Sequence, residues 1–211
     1  DELKLFLTII FVVVLVSTLT LYMKEGFSVN DSIRYGFFQS ISIVTTTGYT
    51  LEPLSGLGGS IGFLIFILAF IGACSGSVGG GMKVWRVLLM LKVGFSNITK
   101  IIHPSAISSV KLNGEKIVSS QIEAVFSFIA IYISFFLLFM FILIFQNVDF
   151  YSAFSGTAAA INNLGPGLGS FSENYSTLSD VGKLTLTMAM IVGRLELFGV
   201  LILFVPSFWR S

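Results

Sequence analysis

Long runs of apolar residues, separated by short polar segments, dominate the chain. Four runs approach the roughly 20 residues with which a helix crosses the hydrocarbon core of a bilayer. They occupy residues 3–23, residues 61–71 continuing past a glycine cluster into 84–93, residues 122–145, and residues 184–208. None of them shows the apolar and polar alternation of a barrel strand. The pattern therefore predicts an all-α membrane protein.

Two shorter apolar stretches, residues 33–44 and 150–161, lie between these runs. At about 12 residues each they are too short to cross a bilayer, so we expect re-entrant half-helices. Each is followed by a polar turn with a glycine, Thr45-Thr46-Thr47-Gly48 in the first case and Asn162-Asn163-Leu164-Gly165 in the second.

Composition excludes most other classes. Of 211 residues, 55% are hydrophobic and 11% are charged, with a mean hydropathy of +0.93, whereas soluble proteins carry about 25% charged residues. The single Cys and single His allow neither a disulfide framework nor a His-rich metal site. An intramembrane enzyme, a rival class, would need a nucleophile–base or metal constellation, and none is evident, so we expect no enzyme.

The charges predict an orientation, because Lys and Arg accumulate on the cytoplasmic side of membrane proteins. Residues 82–118 hold six basic residues and one acidic residue, whereas the loops around the two short stretches hold three basic and six acidic residues. We therefore expect residues 101–118 and both termini to be cytoplasmic, and both half-helices to enter from outside. Binding of lipid or a partner is an alternative role for the basic segment.

The two halves of the chain repeat the order span, half-helix, polar loop, span. Gly165 follows Gly48 by 117 residues, and the same spacing relates Phe154 to Phe37. An even number of crossings separates the halves, so the repeats are parallel about an axis along the membrane normal. We predict two parallel M1–P–M2 repeats around a pore axis, residues 1–100 and 119–211, joined by a cytoplasmic loop at 101–118.

The two polar turns have the chemistry of a potassium filter, in which backbone carbonyl oxygens replace the hydration shell of the ion. The C-terminal end of a half-helix adds partial negative charge at the same place. Residues 46–50, Thr-Thr-Gly-Tyr-Thr, match the pattern T-V-G-Y-G at its first, third and fourth positions. The predicted potassium ligands are the backbone carbonyls of Thr45, Thr46, Thr47, Gly48, Asn162, Asn163, Leu164 and Gly165. Two plain glycine turns between helices are the alternative.

A glycine cluster interrupts the second run, and a charge interrupts the fourth. We interpret Gly76, Ser77, Gly79, Gly80 and Gly81 as a gating loop below the filter, with close helix packing through small residues as the alternative. Arg194 occupies the position equivalent to Ser77 and is predicted to be a pore charge. Glu196, about 200° further around a continuous helix, should not share the face of Arg194; a structural ion pair and a transport role are both open.

These motifs, with residues 72–83, His103-Pro104 and residues 193–198, make the chain resemble the membrane subunit of the Trk/Ktr/HKT superfamily of potassium transporters, most like the Trk branch. The resemblance implies potassium uptake with potassium as the substrate and no cofactor bound by this chain. It also implies a multi-pass protein of the cell inner (plasma) membrane with four repeats, of which this chain carries the third and fourth. Its expected partners are the remaining two repeats, a second copy in a homodimer, and a cytosolic nucleotide-binding regulatory ring. A homomeric two-repeat potassium channel and a non-conducting structural subunit are the alternatives.

Overall fold

The structure is a computed structural model and describes residues 1–51, 53, 59–77, 79–103 and 110–210. These residues are mostly helical, with one short antiparallel hairpin. The elements in chain order are α1 (Glu2–Lys24), α2 (Val29–Val44), α3 (Gly59–Leu68), α4 (Val84–Ile102), β1 (Lys111–Leu112), β2 (Glu115–Lys116), α5 (Ser119–Phe145), α6 (Phe150–Ile161), α7 (Asp180–Arg194) and α8 (Phe198–Leu203). Two 3₁₀ turns, Gly169–Phe171 and Pro206–Arg210, follow α6 and α8.

Two of the described helices are long and apolar enough to cross a membrane, namely Glu2–Met23 within α1 and Ser119–Phe145, which is α5. Both present large apolar side chains outward; Phe11 in α1 is 67% exposed and Phe145 in α5 is 86% exposed. Such a surface would be unfavourable in water, because exposing apolar area to water costs about 25 cal/mol of free energy per Å². The exterior is therefore suited to lipid or to further apolar segments.

The short helix α6 is mostly buried, whereas α2 buries only one face. Helix α6 packs on α5 and α7, while α2 packs on α1 and α3. The rings of Phe136 in α5 and Phe154 in α6 meet at 5.4 Å, and Phe70, just after α3, lies 5.6 Å from Phe136. This aromatic cluster joins the two halves of the chain, because Phe70 comes from the first half and Phe136 and Phe154 come from the second.

Side-chain caps define where the short helices begin. The Ser28 hydroxyl accepts a hydrogen bond from the Asp31 amide at 3.2 Å, and the Asp149 carboxylate accepts one from the Ser152 amide at 2.9 Å. The first cap starts α2 at residue 29, four residues before the apolar stretch that predicts it. Both short helices end at the predicted residues, Val44 and Ile161.

Removing the cap of α6 should destabilise the protein. The hydrogen bond from the Ser152 amide is the main cause that lowers the pKa of Asp149. The stability that the carboxylate contributes is therefore fully present above the ordinary Asp pKa, and it is lost as the pH falls through the lowered pKa. We expect Asp149→Ala to cost about 1 kcal/mol, measured by thermal unfolding of the detergent-solubilised full-length protein at neutral pH. Asp149→Asn keeps a cap and serves as the control; equal melting of the two variants would contradict the assignment.

The last predicted span is wrong as a continuous helix. Instead of one helix over 184–208, α7 ends at Arg194 and α8 begins at Phe198. Glu196 and Leu197 between them have φ values of 54° and 45°, a left-handed conformation that few non-glycine residues adopt. The Leu197 amide donates to the Val192 carbonyl at 3.1 Å, and its side chain is 2% exposed. Burial of Leu197 therefore helps to stabilise the break between α7 and α8, where the sequence has neither glycine nor proline.

The basic segment 101–118 contains a β-hairpin that the hydropathy pattern does not indicate; its residues 104–109 lie outside the described residues. Lys111 pairs with Lys116, and Leu112 with Glu115. Asn113 and Gly114 form the turn with φ values of 50° and 88°, both positive as a type I′ turn requires. Asn-Gly is the sequence signal that predicts such a hairpin.

Candidate ion-conduction site

The turns that follow α2 and α6 have the same backbone geometry. Thr46 and Asn163 have φ values of 56° and 53°, and Gly48 and Gly165 have φ values of 85° and 99°. Three backbone hydrogen bonds of the first turn recur in the second turn, where each joins the residues 117 positions further along the chain. They are Thr45 N to Ile41 O, Thr46 N to Ile43 O and Thr47 N to Ser42 O in the first, and Asn162 N to Ala158 O, Asn163 N to Ala160 O and Leu164 N to Ala159 O in the second.

The two turns also lie against each other. A Cβ atom on Gly48 would overlap the carbonyl oxygen of Leu164 and would lie 3.5 Å from the Pro166 ring. Gly48 is four residues beyond the end of α2, and Leu164 is three residues beyond the end of α6. The C-terminal ends of both helices, with their partial negative charge, therefore point toward neighbouring stretches of backbone.

Threonine and serine hydroxyls brace the first turn from within. The Ser42 hydroxyl donates to the Tyr49 carbonyl at 2.6 Å, and the Thr45 and Thr47 hydroxyls are 2.8 Å apart. In the second turn the Asn162 side chain is buried, and its amide oxygen accepts a hydrogen bond from the Tyr132 hydroxyl of α5 at 2.7 Å. The sequence pattern does not indicate Ser42 or Tyr132, because the Ser42 contact requires the turn to be formed and the Tyr132 contact requires α5 to pack on α6.

The glycine cluster lies against both turns. The Gly80 amide donates to the Thr46 hydroxyl at 3.1 Å, and a Cβ atom on Gly79 would lie 2.9 Å from the same hydroxyl oxygen. A Cβ atom on Gly80 would overlap the Asn162 carbonyl oxygen. Residues 79–83 are not helical, so these glycines do not serve close packing of a continuous helix; they let irregular backbone approach the turns. Residue 78 lies outside the described residues.

Three charged side chains fix this segment to the broken last helix. Lys83 is 5% exposed, and its Nζ donates to the Ser77 carbonyl at 2.6 Å and lies 3.8 Å from a Glu196 carboxylate oxygen. Arg86 donates to the other Glu196 oxygen at 2.9 Å, and its guanidinium lies 3.9 Å from the centre of the Phe128 ring. Glu196 therefore forms ion pairs with the start of α4. The sequence indicates Lys83 as one of the six basic residues of 82–118 and as the last residue of the run 72–83, but not as a partner of Glu196.

Arg194 and Glu196 line one cavity, of about 130 Å³, together with Ser77, Gly79, Gly80, Gly81, Lys83 and Gly193. The expectation that the two side chains lie on different faces is wrong, because α7 ends at Arg194 and the 200° rotation of a continuous helix does not apply. Arg194 thus lies beside the glycine cluster, and its role as a pore charge stays a prediction. The cavity has room for a few water molecules, each of which takes about 30 Å³ in the liquid.

In the described parts of the chain, no group of three His, Cys, Asp or Glu residues is close enough to hold a metal ion. The polar chemistry consists instead of backbone carbonyls, hydroxyls and one charged cavity beside them. Such groups can coordinate a dehydrated alkali cation.

An apolar helical exterior and two turns rich in backbone oxygen are typical of a helical membrane protein with a polar site. Comparison with known proteins gives the family: residues 3–211 match the TrkH family, described as cation transport proteins. The chain belongs to this family, whose members are transporters and not enzymes.

Individual relatives agree with this assignment. The chain is 38% identical over its whole length to the Trk system potassium uptake protein TrkH of Escherichia coli K12, of which it covers 44%. It is 32% identical to TrkG of the same organism, of which it covers 43%. The crystal structure of the potassium transporter TrkH from Vibrio parahaemolyticus matches 99% of this chain with a TM-score of 0.92 and 37% identity, over 45% of that protein. The chain thus spans less than half the length of these relatives.

Proposed function

We propose that the chain forms two of four repeats of a subunit that takes up potassium across the inner membrane, through a path lined by the carbonyls of residues 45–48 and 162–165. The observation that carries the proposal is the close approach of Gly48 to the Leu164 carbonyl, because two such turns at the ends of inward-pointing helices bring several oxygens to one place. Residues 1–100 and 119–211 are then parallel M1–P–M2 repeats, with the turns facing outside and residues 101–118 facing the cytoplasm.

In this proposal the glycine cluster is the gate. Gly79 and Gly80 lie against the turns. There the cluster would narrow the path on its cytoplasmic side, and Arg194 would raise the electrostatic energy of a cation passing it. The Lys83, Arg86 and Glu196 ion pairs hold the cluster in the closed position. A cytosolic nucleotide-binding ring that docks on the basic segment 101–118 would move this assembly, and a second copy of the subunit completes a homodimer.

The proposal is tested with the full-length protein in liposomes. We expect rubidium-86 to accumulate inside liposomes that are loaded with potassium and diluted into potassium-free buffer. External potassium should inhibit this uptake more strongly than external sodium does. Because the second turn departs from T-V-G-Y-G, rejection of sodium should be incomplete. Rubidium uptake no higher in liposomes that contain the protein than in protein-free liposomes would contradict the proposal. It would favour the non-conducting structural subunit.

A further inference from the structure

Tyr175 contacts the second turn from a different part of the chain. It lies between the 3₁₀ turn Gly169–Phe171 and α7. Its hydroxyl donates a hydrogen bond to the carbonyl oxygen of Gly165 at 2.9 Å. Gly165 is one of the proposed filter residues, so this bond touches a proposed ion ligand directly.

Apart from the Tyr175 hydroxyl, no hydrogen-bond donor to the Gly165 carbonyl is found among the described residues. Gly165 has a φ of 99°, and a Cβ atom built on it would meet nothing within 4 Å among the described residues, so that side of the residue is open. The carbonyl belongs to the peptide bond with Pro166, and proline has no amide hydrogen with which to anchor that peptide. The Tyr175 hydroxyl therefore supplies an anchor at a place where the backbone cannot.

The tyrosine is itself held on a rigid platform. Its ring stacks on Phe171 with the centres 4.9 Å apart and the planes inclined by 20°. Phe171 is 2% exposed and fills the space above α6, where a Cβ atom on Gly156 would lie 2.7 Å from the Phe171 ring. The Gly167 amide also donates to the Phe171 carbonyl at 3.1 Å. The hydroxyl thus has a fixed position relative to the second turn.

Two further features support a hydrogen bond that is always present. A Cβ atom on Gly167 would lie 3.1 Å from the Tyr175 hydroxyl oxygen, so only glycine leaves this much room for the hydroxyl to reach Gly165. Burial raises the pKa of Tyr175 above its ordinary value. The hydroxyl therefore stays protonated, and can donate, throughout the physiological pH range.

We propose that Tyr175 is a positioning residue that fixes the direction of the Gly165 carbonyl and thereby sets the preference for potassium over sodium. The inference rests on the proposed function, in which Gly165 is an ion ligand. A carbonyl with freedom to rotate adapts to the smaller sodium ion, whereas a carbonyl held in place favours the ion that its spacing fits. The first turn is braced by its own Ser42 hydroxyl, and Tyr175 does the equivalent work in the second.

The test compares Tyr175→Phe with the unaltered full-length protein in liposomes, and measures the sodium concentration that halves rubidium-86 uptake. Loss of one hydrogen bond should lower this concentration about two- to tenfold. Tyr151→Phe is the matched control, because Tyr151 lies in α6, stacks on Phe63 and has no hydroxyl hydrogen bond to the described residues. This control should behave as the unaltered protein.

Unchanged sodium competition in Tyr175→Phe, with rubidium uptake intact, would overturn the inference and leave the proposed function standing. Absence of uptake in the unaltered protein would instead overturn the proposed function. Should Tyr175→Phe fail to reach the membrane, Gly167→Ala decides the question. Its methyl group would lie 2.9 Å from the Phe171 Cβ and 3.1 Å from the Tyr175 hydroxyl oxygen, so it shifts the ring pair that holds the hydroxyl while the tyrosine is retained. The same rise in sodium competition supports the inference, and competition at the unaltered level contradicts it.

Discussion

Gly48→Ala should abolish rubidium uptake while leaving the amount of protein in the membrane unchanged. The new Cβ would overlap the Leu164 carbonyl oxygen, which is backbone and cannot swing aside as a flexible side chain can. The residue also has a φ of 85°, where a non-glycine residue costs about 1–2 kcal/mol. Both effects act on the point at which the two proposed filter turns meet, so we expect uptake to fall by about 90% or more, a loss equivalent to at least one factor of ten in rate.

A second glycine separates conformational strain from the clash. Gly26, between α1 and α2, has a φ of 71°, but a Cβ atom there would meet nothing within 4 Å among the described residues. Gly26→Ala should therefore carry the same backbone strain without the overlap, and uptake should stay within about twofold of the unaltered protein. Normal uptake by Gly48→Ala, measured as rubidium-86 accumulation per amount of reconstituted protein, would refute the filter assignment.

Gly80→Ala should raise the basal flux of rubidium in the absence of any regulatory partner. Its Cβ would overlap the Asn162 carbonyl oxygen, so the glycine cluster has to withdraw from the second turn. A closed state destabilised by about 1.4 kcal/mol opens about tenfold more often, and we expect a rise of this order. Shortening residues 76–81 should act in the same direction, because a shorter segment reaches less far beneath the turns.

Gly76→Ala is the matched control within the same cluster, since a Cβ atom on Gly76 would meet nothing within 4 Å among the described residues. The measurement is the initial rate of rubidium-86 efflux from liposomes that contain only the transporter. An unchanged rate in Gly80→Ala would contradict the gating role. A lower rate would do so too, because it would mean that the turn yields and the glycine cluster does not.

Local signals were sufficient for the short helices. The end of the apolar stretch at Val44 and at Ile161 coincides with the helix ends, because a polar turn with glycine follows directly in both cases. The start of α2 was predicted late, since the Ser28 cap precedes three polar or charged residues that hydropathy alone excludes. The spacing of 117 residues also identified turns with matching φ values and hydrogen bonds.

The break after Arg194 could not be predicted in this way. Leu195, Glu196 and Leu197 are compatible with a helix. The left-handed backbone of Glu196 and Leu197 depends on what surrounds them, namely burial of the Leu197 side chain and ion pairs from Glu196 to Lys83 and Arg86. Those partners lie more than 100 residues away in the sequence. The same reason hid Tyr175, whose contact with Gly165 requires the chain to fold back over the turn.

The ion pairs at Glu196 also limit how the two halves of the chain can be exchanged. Both cations, Lys83 and Arg86, come from the first half, and the only carboxylate that pairs with them in the described structure comes from the second. A concatemer of two first halves would bring these cations together without the acid, and the nearly buried Lys83 and Arg86 would lose their carboxylate partner. Neither half can therefore stand in for the other at this contact, because each supplies charges that the other lacks.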